Sequence, residues 1–149
     1  MHRSSSCSQK LTSTRNNLGC RTLSAAQSLA SSLSGHADAI SVDVTDEASL
    51  DAAVSAHDLI ISLIPYTFHT NVIKSAIKFK KNVVTTSYVS DAMKELEPAC
   101  IKAGITVLNE VGLDPGIDHC YAVELIDRVH KAGGKVSRLV SSLGYRADD

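Results

Sequence analysis

Leu59–Ile60–Ile61–Ser62–Leu63–Ile64 is an apolar run broken by a single serine and stopped by Pro65. A strand with one wet face alternates apolar and polar residues. A run like this one suits a strand buried on both faces, as parallel sheets demand, and proline ends its ladder. Val72, Ile73, Ala76 and Ile77 then fall on one face of a helix. The same alternation continues upstream. Residues 23–33 read as a helix, followed by the β-rich run Ala39–Ile40–Ser41–Val42–Asp43–Val44. Thr45 suits a helix N-cap, with Asp46 and Glu47 where the positive end of the helix dipole favours acids. Downstream, Asn82–Val83–Val84–Thr85–Thr86 reads as a strand, and residues 90–103 as a helix capped by Ser90, perturbed by Pro98 and ended by Gly104. Ile105–Thr106–Val107–Leu108–Asn109 is a further strand. Asp114–Pro115 starts a helix through Ile117, Tyr121, Leu125, Ile126 and Val129, and Gly133–Gly134 ends it. Residues 135–143 make a last strand-like segment. Strands alternating with helices at this spacing call for a parallel sheet with crossovers, so the expected fold is doubly wound α/β.

The composition bounds the function. At 149 residues the chain is one domain's worth. A net charge of -1 gives no argument for nucleic acid or an anionic membrane, and no Trp with two Phe and four Tyr makes a base-stacking surface unexpected. Residues 1–22 carry Arg3, Lys10, Arg15 and Arg21 and no acid, in a setting rich in Ser, Thr and Asn. That pattern fits an organellar targeting peptide, but no apolar helical face is visible, and an irregular N-terminus is the plainer expectation. No run of 18 apolar residues exists, so no membrane-spanning segment is expected. Cys7, Cys20, Cys100 and Cys120 show no C-x-x-C spacing, and the six histidines lack the spacing of a zinc site, so neither a disulfide framework nor a metal is expected. Cys120, beside His119, reads as a core residue. The cysteine usage suits a reduced, intracellular setting: cytoplasmic, with a mitochondrial alternative.

In doubly wound sheets, ligands bind at the carboxyl ends of the strands. Arg21, in Cys20–Arg21–Thr22, sits where an NADP 2′-phosphate is taken, although Arg15–Asn16–Asn17–Leu18–Gly19 before it is a poor strand. Solvated surface arginine is the bland alternative. Asp43–Val44 falls beside an adenine or merely prepares the cap at Thr45. Ile64–Pro65–Tyr66 ends a strand where a cofactor runs close, or is a plain turn. Thr86–Ser87–Tyr88 places two hydroxyls and a phenol at a strand end, although Ser and Thr there are ordinary caps. Gly112–Leu113–Asp114–Pro115–Gly116–Ile117–Asp118–His119 contains an N-cap and first-turn pair in Asp114–Pro115, and His119 is a candidate acid–base group. No G-x-G-x-x-G occurs among the eight glycines.

Taken with Ser62–Leu63–Ile64–Pro65–Tyr66, Val83–Val84–Thr85–Thr86–Ser87–Tyr88–Val89–Ser90 and Asn109–Glu110–Val111 leading into the Gly112–His119 stretch, the sequence resembles the saccharopine dehydrogenase family of lysine metabolism, NADP-dependent and glutamate-forming. The similarity spans about residue 20 to about residue 143. It implies a Rossmann-like domain in which Arg21 and Thr22 contact the NADP phosphate and Asp43 and Val44 the adenosine. Ile64, Thr86, Ser87, Leu113, Asp114 and Pro115 line the rest of the cofactor cleft. Ser87, Tyr88 and Asp114 touch the amino-acid substrate, with Asp114 the candidate catalytic group. The implied reaction interconverts saccharopine with glutamate and 2-aminoadipate 6-semialdehyde, with hydride chemistry belonging to the cofactor.

Two departures from the family shape the expectation. The first strand and glycine turn expected before Cys20 are missing, and the chain stops after Asp149, where the family continues into a substrate and dimerisation domain. The expected organisation is an irregular 1–19, a partial NADP-binding Rossmann domain over 20–134 and the start of a substrate domain over 135–149. A chain truncated at both ends would bind NADP weakly and not turn over; the homodimer belongs to the full-length enzyme. The alternative is a non-catalytic nucleotide-binding or interaction module derived from that enzyme.

Overall fold

Every strand among the described residues pairs in parallel, in two sheets. The computed structural model describes residues 15–33 and 37–139. They form β1 (Asn16–Cys20), α1 (Leu23–Ser32), β2 (Ala37–Ser41), α2 (Glu47–Ser55), β3 (Leu59–Ser62), a 3-10 turn (Tyr66–Phe68), α3 (His69–Phe79), β4 (Asn82–Thr85), α4 (Asp91–Lys94), α5 (Glu97–Ala103), β5 (Val107–Leu108) and α6 (Ile117–Lys131). The chain divides into two compact units between Asp43 and Val44. One holds β1–β2, with Asn16 opposite Ala37 and Cys20 opposite Ser41; the other holds β3–β4–β5, with Leu59 opposite Asn82 and Val83 opposite Val107.

In the first unit, α1 turns two alanines inward, Ala26 at 0% and Ala30 at 8% exposure. The segment before Arg21, a poor strand by composition, is β1. Pairing with β2 supplies what intrinsic preference does not, because strand preference is largely a measure of packing. A Cβ on Gly19 would meet Val42 Cγ2 at 3.1 Å, so glycine admits the close approach of Val42 at the strand end.

The second unit is built around α3, which buries Val72, Ile73 and Ala76. Burying a side chain the size of Ile73 contributes on the order of 2 kcal/mol. Ile73, Met93 and Cys100 cluster with Ile77, Leu96, Ile105 and Val107. On another side of α3, Asp51 of α2 accepts from Ser75 Oγ and pairs with Lys78.

Several boundaries differ from the sequence expectation, each for a local reason. The strand expected at 39–44 runs Ala37–Ser41, and α2 is capped by Asp46, which accepts from Ala48 N at 3.2 Å, rather than by Thr45. The helix expected at 90–103 is two, α4 and α5, because Pro98 has no N–H to continue the ladder and suits the first turn of a new helix. Ser90 caps α4 through Met93 N, and Gly104, at φ 72°, closes α5, both as the sequence suggests. The strand expected at 105–109 keeps only Val107–Leu108. Residues 135–139 form no strand, and the rest of that segment lies outside the described residues, as do residues 1–14 of the stretch expected to be irregular; residues 16–19 of that stretch belong to β1.

Candidate functional site

In the second unit the carboxyl ends of β3, β4 and β5 bring together polar groups from Ser62, Thr85–Ser87 and Asn109–Glu110. Ser62, the last residue of β3, is 4% exposed, and a buried hydroxyl there needs a partner. It finds one in His69, the first residue of α3, fully buried, whose Nδ1 lies 2.9 Å from Ser62 Oγ. The other ring nitrogen, Nε2, lies 2.9 Å from Ser87 Oγ. Burial pushes the His69 imidazole below its ordinary value of 6.5, so the ring is neutral at physiological pH. A chain of side chains thus runs from the interior of β3 to the end of β4.

The segment after β5 is laced onto the end of β4. Thr85, also fully buried, donates to Asn109 Oδ1 at 2.9 Å. Val111 N donates to Thr85 O and Glu110 N to Ser87 O. Glu110 adopts φ 65° and accepts from Val89 N through Oε1. A Cβ on Gly112 would meet Thr86 O at 3.0 Å, so glycine lets the 109–112 backbone lie against β4's end.

Two of the residues expected to meet substrate are bonded to each other: Tyr88 donates its phenol to Asp114 Oδ1 at 2.5 Å. The hydrogen bond to the Asp114 carboxylate pushes the Tyr88 phenol up to about 12, so it stays protonated and acts as a donor near neutrality. Asp114 is therefore not the N-cap of α6. The N-cap position falls two residues later, at Gly116, whose N–H is taken by Asp118 Oδ1 at 3.0 Å; the Asp114–Pro115 peptide, which is cis, lies in the turn before it. Asp118 also bonds His119 Nδ1 at 2.8 Å. Burial pushes the Asp118 carboxyl up, but its bonds to His119 and Gly116 outweigh that and leave it below its ordinary range.

The remaining expected residues divide between the units. Arg21 and Thr22 are exposed directly after β1, and Arg21 O accepts from Ser41 Oγ at 3.3 Å. Asp43 is half-buried beyond the end of β2, the neighbouring strand. In the second unit Val44 O accepts from Asn71 of α3, and Ile64 is half-buried beside Leu63, which is 72% exposed. Leu113 is 61% exposed, whereas Pro115 is buried in the turn, where its carbonyl accepts from Gly112 N. Asp114, Asp118 and His119 bring one ligand atom each within 4.8 Å of one another, but Asp114 and Asp118 already serve Tyr88, Gly116 and His119. Cys120 is exposed, not in the core. Sequence reasoning missed the Ser62–His69 and Thr85–Asn109 pairs; the signal for the first was a serine inside an otherwise apolar strand.

The model of the saccharopine dehydrogenase NADP binding domain matches residues 6–108, which takes in all five strands among the described residues. The chain belongs to the saccharopine dehydrogenase NADP-binding family. The match begins at residue 6, ahead of the Cys20–Arg21–Thr22 motif. Over 127 residues this saccharopine dehydrogenase relative is 60% identical to the NADP(+), L-glutamate-forming saccharopine dehydrogenases of Pyricularia oryzae and Saccharomyces cerevisiae, covering 85% of this chain and 28% of each of those. It is 49% identical over 98 residues to the mitochondrial alpha-aminoadipic semialdehyde synthase of Mus musculus, covering 66% of this chain and 11% of that one. The solved apo, L-Glu-forming saccharopine dehydrogenase of Saccharomyces cerevisiae superposes with a TM-score of 0.70 at 60% identity, covering 80% of this chain and 26% of that structure. The chain thus spans little more than a quarter of the fungal relatives it matches. No helix among the described residues is long and apolar enough to cross a membrane.

Proposed function

We propose that this chain is the nucleotide-binding part of an NADP-dependent, glutamate-forming saccharopine dehydrogenase, an oxidoreductase acting on a CH–NH bond. The observation that carries this is 60% identity to two fungal enzymes of that name over 85% of the chain. The residues at the strand ends fit NADP. Arg21 is exposed after β1 and makes no ion pair among the described residues, so its planar guanidinium is available to a phosphate. Leu63, directly after β3, and Leu113, in the segment after β5, are large apolar side chains left exposed, suited to the faces of a ring.

In this reading Arg21 and Thr22 hold the 2′-phosphate, Asp43 and Val44 the adenosine, and Ile64, Thr86, Ser87, Leu113, Asp114 and Pro115 the remainder of the cofactor. NADP supplies the hydride donor or acceptor when bound. Saccharopine, or its glutamate and semialdehyde counterparts, meets Ser87, Tyr88 and Asp114. Tyr88 occupies one oxygen of Asp114, and the other has no protein partner among the described residues, leaving it to fix a substrate ammonium group. Because Tyr88 keeps its proton near neutrality, it donates to Asp114 and holds that side chain in place rather than acting as a base.

A fluorescence titration of the 149-residue chain with NADPH, and separately with NADH, tests the cofactor assignment. The expected result is saturation by NADPH below about 1 mM, roughly 4 kcal/mol of binding, with weaker NADH binding. Arg21→Ala should narrow the gap by about tenfold, the worth of one charge-assisted contact. No saturation by NADPH in that range refutes the assignment.

A further inference from the structure

The functional reading gives no task to His69, yet it is the one fully buried histidine among the described residues and sits between two serines. Heavy-atom positions alone leave its tautomer open, but the hydroxyl of Ser62 decides it. Ser62 has a single proton to donate, is 4% exposed, and has His69 Nδ1 as its side-chain partner among the described residues. A buried donor left unmet is unfavourable, so Ser62 donates to Nδ1, and Nδ1 carries no proton. Burial keeps the ring neutral, which places its one proton on Nε2. Nε2–H then donates to Ser87 Oγ at 2.9 Å. The proton of Ser87 is not spent on His69.

We propose that His69 is a positioning residue: Ser62 holds it as the Nε2–H tautomer, and it in turn fixes the Ser87 hydroxyl as a donor at the end of β4, so that Ser87 recognises an acceptor oxygen of its ligand. The opposite tautomer makes the opposite choice. It would strand the Ser62 proton, turn the Ser87 hydroxyl inward and leave Ser87 able only to accept from a ligand. The inference rests on the reading of the strand ends as the cofactor and substrate cleft, and it adds the polarity of one contact. The partner of Ser87 is a carboxamide, phosphate or carboxylate oxygen, not an ammonium or ring N–H. Thr85, two residues earlier, is already committed as a donor to Asn109.

The test begins without a ligand. In the 149-residue chain labelled with 15N-histidine, a two-bond proton–nitrogen NMR spectrum should show His69 with a protonated, pyrrole-type Nε2 and a bare, pyridine-type Nδ1. Ser62→Ala removes the donor that selects this state, and the two nitrogens should move toward each other as the tautomers mix. A protonated Nδ1 in the unaltered chain, or an unchanged spectrum in Ser62→Ala, overturns the proposal. Ligand affinity then reads the consequence. Ser87→Ala should weaken NADPH or saccharopine binding by about fivefold, one neutral hydrogen bond's worth, and Ser87→Thr, which keeps the hydroxyl, should restore most of it. Loss confined to NADPH assigns the acceptor to the cofactor; loss confined to saccharopine assigns it to the substrate. His69→Gln should lower affinity in the unaltered background and add nothing in Ser87→Ala. An additive loss there, or unaltered affinity for both ligands in Ser87→Ala, overturns the inference. If neither ligand binds the unaltered chain, the cleft reading falls, whereas the histidine spectrum still decides the tautomer.

Discussion

α3 and α6 carry similar patterns and meet different fates. α3 places Val72, Ile73 and Ala76 on one face and buries all three together with His69 and Ser75. α6 places Ile117, Tyr121, Leu125 and Val129 on one face, and none of its fifteen residues is buried among the described residues. Apolar periodicity therefore specifies that a helix forms but not what covers it. α3 lies in the crossover between two paired strands, so its apolar face has a sheet to meet. α6 follows the last strand and holds together by local means: Glu124 pairs with Arg128 at 2.5 Å and Asp127 with Lys131 at 3.8 Å, and Arg128, His130 and Lys131 complement the negative end of the helix dipole.

The sharpest way to break the comparison is to truncate one side chain on each helix. Ile73→Ala should cost about 2–5 kcal/mol in urea denaturation, because it opens a cavity in the core. Tyr121→Ala should stay within about 0.5 kcal/mol. A large loss at Tyr121 would mean that α6 is covered after all.

His69→Phe should cost about 1–3 kcal/mol, since it leaves the buried Ser62 hydroxyl unmet. It should also change the pH dependence. The folded imidazole protonates below 6.5 while the unfolded one protonates at that value, so on acidification the unfolded state takes up the proton first. Stability should therefore fall as pH drops through 6.5 toward the lower folded value, and this component should vanish in His69→Phe melts. Asp51 adds a later phase with the same sign. Its bond from Lys78 depresses the folded carboxyl below 3.8, so its contribution is present above that value and lost as pH falls further. Asp51→Asn should remove the phase.

Smaller effects follow. Gly104→Ala should cost about 1 kcal/mol because φ 72° is left-handed; the space itself is open, with nothing within 4 Å of an added Cβ. Smallest is Arg128→Ala on α6, at a few tenths of a kcal/mol by thermal melt and diminishing with salt.

The fold was readable where the covering partner leaves a mark on composition. α3 is apolar on the face that it buries, as its periodicity announced. β3, whose apolar run promised burial on both faces, keeps Leu59 at 51% and Ile61 at 63% exposure, so among the described residues only the face of Ile60 and Ser62 is covered. β1 was not readable. Asn16, Asn17 and Gly19 are weak strand formers, and only the ladder with β2 makes them a strand. The break between α4 and α5 was half readable: Pro98 marked a disturbance, but not that a new helix would begin there. At the site, Ser87, Tyr88 and Asp114 stood in recognisable motifs, whereas their bonding did not. Asp114 looked like a helix cap because Asp–Pro usually is one, yet Asp118 serves the helix start and frees Asp114 for Tyr88. Ser62 in an apolar strand announced a buried partner, but nothing in the sequence chose His69 among six histidines.

The central claim is that the strand ends of the α3 region, not the exposed face of α6, form the ligand surface. Amide NMR spectra of the 15N-labelled chain, recorded as NADPH is added, test it most directly. Progressive shifts at Ser62, Ile64, Thr86, Ser87 and Leu113, with residues 121–129 unmoved, are the predicted result. Shifts confined to residues 121–129, or none up to about 1 mM NADPH, would contradict it.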